Sequence, residues 1–194
     1  MPDALDVALK EWHAVTRALA SGRQCVLLRK GGIRETEGVF QTEHMRFVLF
    51  PTWLHQKVDW IKPEDRGDAV ARNAEPDELP IDTWAEVSDV VRVPNRAAMD
   101  ALSDQHLYLP PLIDMRFDYK PHNPLYVLIV RAWRLPQALT IANTPAYAGC
   151  RSWVPLDRAI DVSGSTAAVD DAAFAARRQT ILGTLAAPTA GAVR

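Results

Sequence analysis

A chain of 194 residues, 48% apolar and 24% charged, carries a net charge of −2 at neutral pH. That length and composition fit one globular domain with an ample core, and they exclude disorder or a fibrous repeat for its bulk. They also exclude a protein that coats nucleic acid by bulk positive charge, while leaving room for a local basic patch.

Leu5, Ala8, Leu9, Trp12, Val15, Thr16 and Leu19 recur at three- and four-residue spacing and predict a helix over residues 4–21. Asp3 suits its N-cap, and Gly22 suits the position just past its end, where a positive φ stops the helix. Residues 24–29 predict a strand, closed by the turn signal Gly31-Gly32. A second strand follows over 45–50, stopped by Pro51, and an irregular hairpin connection joins the two. Residues 57–82 mix acids, Arg, Gly and Pro without periodicity and predict a long surface excursion.

Residues 83–93 predict a third strand, and Pro94-Asn95 then opens a short helix along Met99, Leu102 and His106. Pro110, Pro111, Pro121 and Pro124 break the stretch that follows. The run 125–135 is apolar throughout most of its length, as a central strand covered on both faces should be. A final strand over 151–156 and a helix of small residues over 167–185 complete the chain, before a tail with nothing to bury. The expected organisation is a single α+β domain over 4–158, a linker and helix over 159–186, and a disordered tail over 187–194. There is no repeat and no regular βα alternation, which argues against a doubly wound fold. The expected architecture is a curled mixed or antiparallel sheet, nearly closed on itself, flanked by an N-terminal, a short middle and a C-terminal helix.

The longest apolar run, Leu125 to Val130, falls short of the roughly 20 residues a membrane span requires. The opening Met1-Pro2-Asp3-Ala4-Leu5-Asp6 has acid where an export signal has Lys or Arg. Cys25, in an apolar run, and Cys150, after a glycine, suit a reducing compartment as small buried hydrophobes. No Cys-x-x-Cys pair offers a zinc ribbon. A cytoplasmic protein that meets no membrane is expected.

Several blocks in order form a pattern: Ala8-Leu9-Lys10-Glu11-Trp12, Leu27-Leu28-Arg29-Lys30-Gly31-Gly32-Ile33-Arg34-Glu35, and Phe47-Val48-Leu49-Phe50-Pro51-Thr52 with His55-Gln56. Pro124-Leu125-Tyr126-Val127-Leu128 with Arg131, and Tyr147-Ala148-Gly149-Cys150-Arg151-Ser152-Trp153, continue it. Together they resemble the DUF1802 family over about residues 4–158. Some members of that family occur beside a restriction-endonuclease-like domain, so the resemblance implies a link to DNA and to DNA-defence systems. No catalytic residues come with it. The opening helix, the Gly22-Arg23 turn and a strand ending in Arg29 are also similar in shape to the small PUA-like barrels, the ASCH- and EVE-type modules, which bind RNA or modified bases.

Charge is segregated along the chain. Arg23, Arg29, Lys30, Arg34 and Arg46 cluster early, against Glu35, Glu37 and Glu43, while most compensating acid lies over residues 64–82. In Arg29-Lys30-Gly31-Gly32-Ile33-Arg34, two glycines after a strand let backbone approach a ligand, and the flanking cations suit phosphate or carboxylate. The same string also reads as a basic turn facing water, and it lacks the order of a Walker loop. Glu35, Glu37, Glu43, His44 and His55 could hold a divalent ion, although adjacent Glu43 and His44 would point to opposite faces of a strand. Asp114 with Asp118-Tyr119-Lys120 imitates a nuclease string, but Pro121 breaks any strand that would present it. Gly149-Cys150-Arg151-Ser152-Trp153 offers either a thiol awaiting a base or a tight turn into a core strand. Trp53 and Trp60 flank the loop after Pro51, as base-stacking platforms or as loop anchors.

The leading expectation is a binding module for nucleic acid or a nucleotide-like anion. Arg29, Lys30, Gly31, Gly32, Arg34 and Arg46 would hold phosphate, with Trp53 and His55 nearby. One alternative is a metal-dependent phosphodiesterase built on Glu35, Glu37, Glu43, His44 and His55; another is a structural interaction subunit. No cofactor is expected.

Overall fold

Residues 4–12, expected to open a helix, form the strand β1 (Ala4–Trp12), and the helix α1 begins only at His13 (His13–Ala20). The computed structural model describes residues 3–36, 39–70, 72–149 and 151–187. The helical spacing of the apolar residues has a strand explanation. The pairing register slips between Leu5 and Val7, a bulge that reverses the alternation of faces. Leu5 and Ala8, three residues apart, therefore join one apolar cluster, while Leu9 joins the cluster on the other side. Gly22 does follow α1 with φ +73.

The chain continues through β2 (Val26–Arg29), the hairpin of β3 (Ile33–Thr36) and β4 (Val39–Thr42), and β5 (Arg46–Thr52). The strand β5 runs through Pro51 rather than stopping there. It pairs with β6 (Glu78–Arg92) only over Arg46 to Val48, so the missing N–H of Pro51 falls where β5 contacts β1 alone. The segment before β6 is less of an excursion than its composition predicts. Two short 3-10 turns, Val58–Trp60 and Pro63–Asp68, bury Ile61, Asp65 and Ala69, and β6 starts five residues before the expected strand.

Asn95 caps α2 (Arg96–Ala101), its side chain accepting from the Ala98 N–H at 3.0 Å. Pro110 and Pro111 do not break the chain but start α3 (Pro110–Asp118), where the fixed φ of proline suits a first turn whose N–H groups need no partner. The long strand β7 (Tyr126–Ala142), the strand β8 (Trp153–Asp161), the short β9 (Thr166–Ala167) and the helix α4 (Asp171–Ala186) follow.

The result is an α+β fold on a mixed sheet in the order β2-β7-β6-β5-β1-β8, with β9 alongside β7. Among the described residues only β1 and β5 run parallel. Among the described residues no pairing joins β2 to β8, so the sheet stays open. Bulges in β6, between Ile81 and Thr83 and between Val87 and Asp89, curl it. The four described α-helices all feed the larger apolar cluster: Val15 and Leu19, Met99, Leu112, and Phe174 with Ile181 and Leu185. No described helix is long and apolar enough to cross a membrane.

Candidate functional site

The turn after β2 needs its second glycine, because Gly32 has φ +71, a conformation that side chains rarely adopt. Gly31 and Gly32 form part of the wall of a cleft of about 520 Å³. Five cationic residues line it: Arg29 and Lys30 from this turn, Arg116 and Lys120 from α3 and just beyond, and Arg151 from the approach to β8. Glu43 is the one acidic residue on the wall among those described, and Tyr119, Asn123, Ser152 and Trp153 complete its polar and aromatic parts. A chain of net charge −2 thus gathers local positive charge from three distant segments.

Two of these cations are held by the fold. Arg29 Nη2 lies 2.6 Å from Glu11 Oε1, close enough for an ion pair but not aligned as a hydrogen bond. Glu11 reaches Arg29 because it is adjacent to Lys10 on β1, and neighbouring strand residues point to opposite faces. Lys30 Nζ donates to the carbonyls of Phe117 and Tyr119 at 2.8 and 2.6 Å, and to that of Lys120 at 3.1 Å. These carbonyls close the C-terminus of α3, where helix carbonyls lack partners and a cation is favoured. Lys30 is therefore a clasp as well as part of the wall.

The guanidinium groups keep donors in reserve. Arg29 Nε and Arg116 Nε are both buried, and neither has a hydrogen-bond partner. Burying a donor without an acceptor costs about 1–3 kcal/mol, more when the group is charged. Both residues line the cleft, so an anion seated there could accept from them. Tyr108 adjoins this cluster. Burial first, and the negative charge of Glu11 second, push its hydroxyl well above the usual tyrosine range.

The other expected residues are dispersed. Arg34 is exposed on β3, paired across the hairpin with Gln41. Arg46 stacks over Trp84, 4.8 Å from the ring centre. Trp53 is buried at 4% exposure, with the His13 ring stacked on it at 4.7 Å and the Arg72 guanidinium 4.9 Å away, so it anchors its loop and offers no open face. Trp60 lies half-buried under Lys57. Glu35 and Glu43 are exposed, and His44 Nε2 lies 3.8 Å from Glu43 and packs edge-on against Trp153. Glu37 and Cys150 lie outside the described residues. Among the described residues, no three His, Cys, Asp or Glu side chains gather as a metal site. Asp114 and Asp118 sit on α3 rather than on a strand, and Asp114 pairs with Arg96 at 2.6 Å. Cys25 is buried, which pushes its thiol up to about 11, away from nucleophilic use.

His55, exposed and with φ 65, belongs to a second and larger cavity of about 720 Å³. Phe50, Leu54, Pro145 and Tyr147 supply its apolar walls. Lys10 fastens one side by donating to the carbonyls of Tyr147 and Gly149. Glu75 fastens another, accepting from the N–H groups of Trp53 and Leu54. Thr144 Oγ1, on this wall, is buried without a partner. Arg151 lines both cavities.

The sequence singles out the glycine turn, which lies on the cleft wall, but not Arg116 or Asn123; it marks Lys120 only within a nuclease-like string and Arg151 only as a neighbour of a thiol. The signal that could have found them is the cation spacing around the prolines at 110–124, where a helix presents Arg116 and its end presents Lys120.

Comparison with known proteins yields little beyond kinship. No curated protein matches the chain. Two crystal structures of mutant forms of ZmASCH, a protein from Zymomonas mobilis, are similar at 11% and 12% identity. They have TM-scores of 0.39 and 0.44, covering 68% and 78% of this chain and 70% and 90% of theirs. Likeness at that level bears on neither fold nor function here. A family described as a domain of unknown function, DUF1802, matches residues 8–180, further along the chain than the sequence blocks reach, and the chain belongs to that family.

Proposed function

We propose that this protein is a binding module for nucleic acid or a nucleotide-like anion, and that the cationic cleft receives the phosphate. The observation that carries the reading is the pair of buried, partnerless donors, Arg29 Nε and Arg116 Nε, on a wall with five cationic residues and one carboxylate. Phosphate oxygens would accept from both guanidinium groups, and charge-assisted bonds of that kind are roughly twice as strong as neutral ones. Lys120 and Arg151 are exposed on the rim and would meet the ligand first. The amides of the Gly31-Gly32 turn can approach because neither residue carries a side chain. Of the expected set, Arg29, Lys30, Gly31 and Gly32 remain in the proposed site, while Arg34, Arg46 and Trp53 leave it.

Electrophoretic mobility shifts at low salt, with single- and double-stranded DNA and RNA, test the reading. Retardation of at least one of these is expected, weakened by added salt, and reduced about tenfold or more by replacing Lys120 and Arg151 together with alanine. No retardation of any probe, together with no binding of pyrophosphate in calorimetry, would overturn it.

A further inference from the structure

We infer that the two cavities form one composite site for a nucleotide unit, with its phosphate in the cationic cleft and its planar base in the apolar cavity beside Thr144. The inference rests on the anion-binding reading above and goes further by assigning the second cavity. Three observations carry it.

The first is continuity. The cavities lie on opposite faces of the sheet, since Trp153 packs with the larger apolar cluster, whereas Phe50 and Tyr147 belong to the smaller one. Both reach the same edge. There the Lys10 N–H donates to the Ser152 carbonyl at 2.8 Å, and Arg151 lines both cavities. A ligand with one anionic end and one apolar end could therefore run round this edge and meet Arg151 midway.

The second is division of chemistry. The cleft is cationic, with Arg29, Arg116 and Lys120 on its wall, and suits the charged end. The second cavity exposes mainly apolar surface from Phe50, Leu54, Pro145 and Tyr147. Its two charged anchors are already engaged, Lys10 with backbone carbonyls and Glu75 with backbone N–H groups. Burial of a planar, largely apolar group fits that lining.

The third is an unused polar atom. Thr144 Oγ1 is buried on the apolar wall without a hydrogen-bond partner. A hydroxyl can donate and accept, so it can pair with the edge of a heterocycle, which a purely aliphatic guest would leave unpaired.

Calorimetric titration of the full chain with nucleoside 5′-monophosphates, ribose 5-phosphate and pyrophosphate tests this. At least one monophosphate should bind about tenfold tighter than ribose 5-phosphate, the scale of stacking one base. Thr144→Val, and separately Ala148→Trp to fill the cavity from an exposed position, should erase that advantage while leaving ribose 5-phosphate binding unchanged. A single-stranded decamer, intact and with one abasic position, distinguishes a base held within a strand from a free nucleotide. A T144V-sensitive preference in either form supports the inference. Equal binding of monophosphates and ribose 5-phosphate in all forms would overturn it while leaving the anion-binding cleft standing. An advantage untouched by both variants would overturn it as well. Failure of every probe, pyrophosphate included, would remove both readings.

Discussion

Arg29 and Glu11 meet as an ion pair at 2.6 Å with side chains only 13% and 9% exposed, against the wall of the cationic cleft. Removing one partner from such a pair leaves a buried charge uncompensated, which typically costs 3–5 kcal/mol, roughly the difference between a secure and a marginal domain. Glu11→Gln should therefore lower unfolding free energy by about 3 kcal/mol or more. Urea denaturation followed by tryptophan fluorescence measures it, and a loss under about 1 kcal/mol would show that the pair is solvated.

Lys30 and Arg151 share the cleft wall but should separate stability from binding. Lys30 holds the carbonyls that end α3, so Lys30→Met should cost on the order of 1 kcal/mol of stability. Arg151 is exposed, and Arg151→Ala should stay within about 0.5 kcal/mol of the wild type. Oligonucleotide affinity should nevertheless fall more in Arg151→Ala than in Lys30→Met. Melting curves and mobility shifts on the same two preparations check both halves.

His106 makes stability depend on pH. It is 5% exposed, and burial, with Lys62 adding repulsion, lowers its ring from 6.5 to about 4. The unfolded chain takes up a proton as pH falls through 6.5, whereas the folded protein resists until about 4. Unfolded molecules bind more protons across that window, so stability falls as pH falls through it and is fully present above it. The loss should approach about 3 kcal/mol near pH 4, and His106→Gln should flatten the window. Denaturation midpoints from pH 7.5 to 4.5 measure the slope; an equal slope in the variant would assign it to other groups.

Gly22 joins the end of α1 to the approach of α4. It has φ +73, and a methyl group there would lie 2.4 Å from Val169 Cγ1 and 2.8 Å from the Ala168 carbonyl oxygen. Arg177 of α4 also donates to the Gly22 carbonyl. Gly22→Ala combines a strained backbone with a steric clash and should cost about 1–3 kcal/mol or more. Thermal unfolding tests this, and an unchanged midpoint would mean that α4 can shift aside cheaply.

The sequence showed clearly those elements whose signals are local. Asn95 as a cap, the apolar run from Leu125 and the glycines after Arg29 each act within a few residues of themselves. The first strand was hidden because a bulge between Leu5 and Val7 turns strand alternation into helix-like spacing, which periodicity cannot distinguish. Proline misled twice, at Pro110 because it starts a helix and at Pro51 because β5 has left β6 by that point. The site was half visible. Residues 29–32 stood out as a cationic glycine turn, but Arg116, Lys120 and Arg151 join them only through the packing of α3 and the sheet edge. His55 lies beyond the end of β5 at Thr52, in a turn with φ 65, and opens into the other cavity.

The claim that the cleft holds phosphate through Arg29 and Arg116 is tested most directly by following the arginine Nε–Hε resonances in a ¹H–¹⁵N spectrum during titration with pyrophosphate. The account predicts that two of these signals, assigned by Arg29→Lys and Arg116→Lys, move downfield together along one saturable curve. Pyrophosphate binding that leaves both signals in place would contradict it.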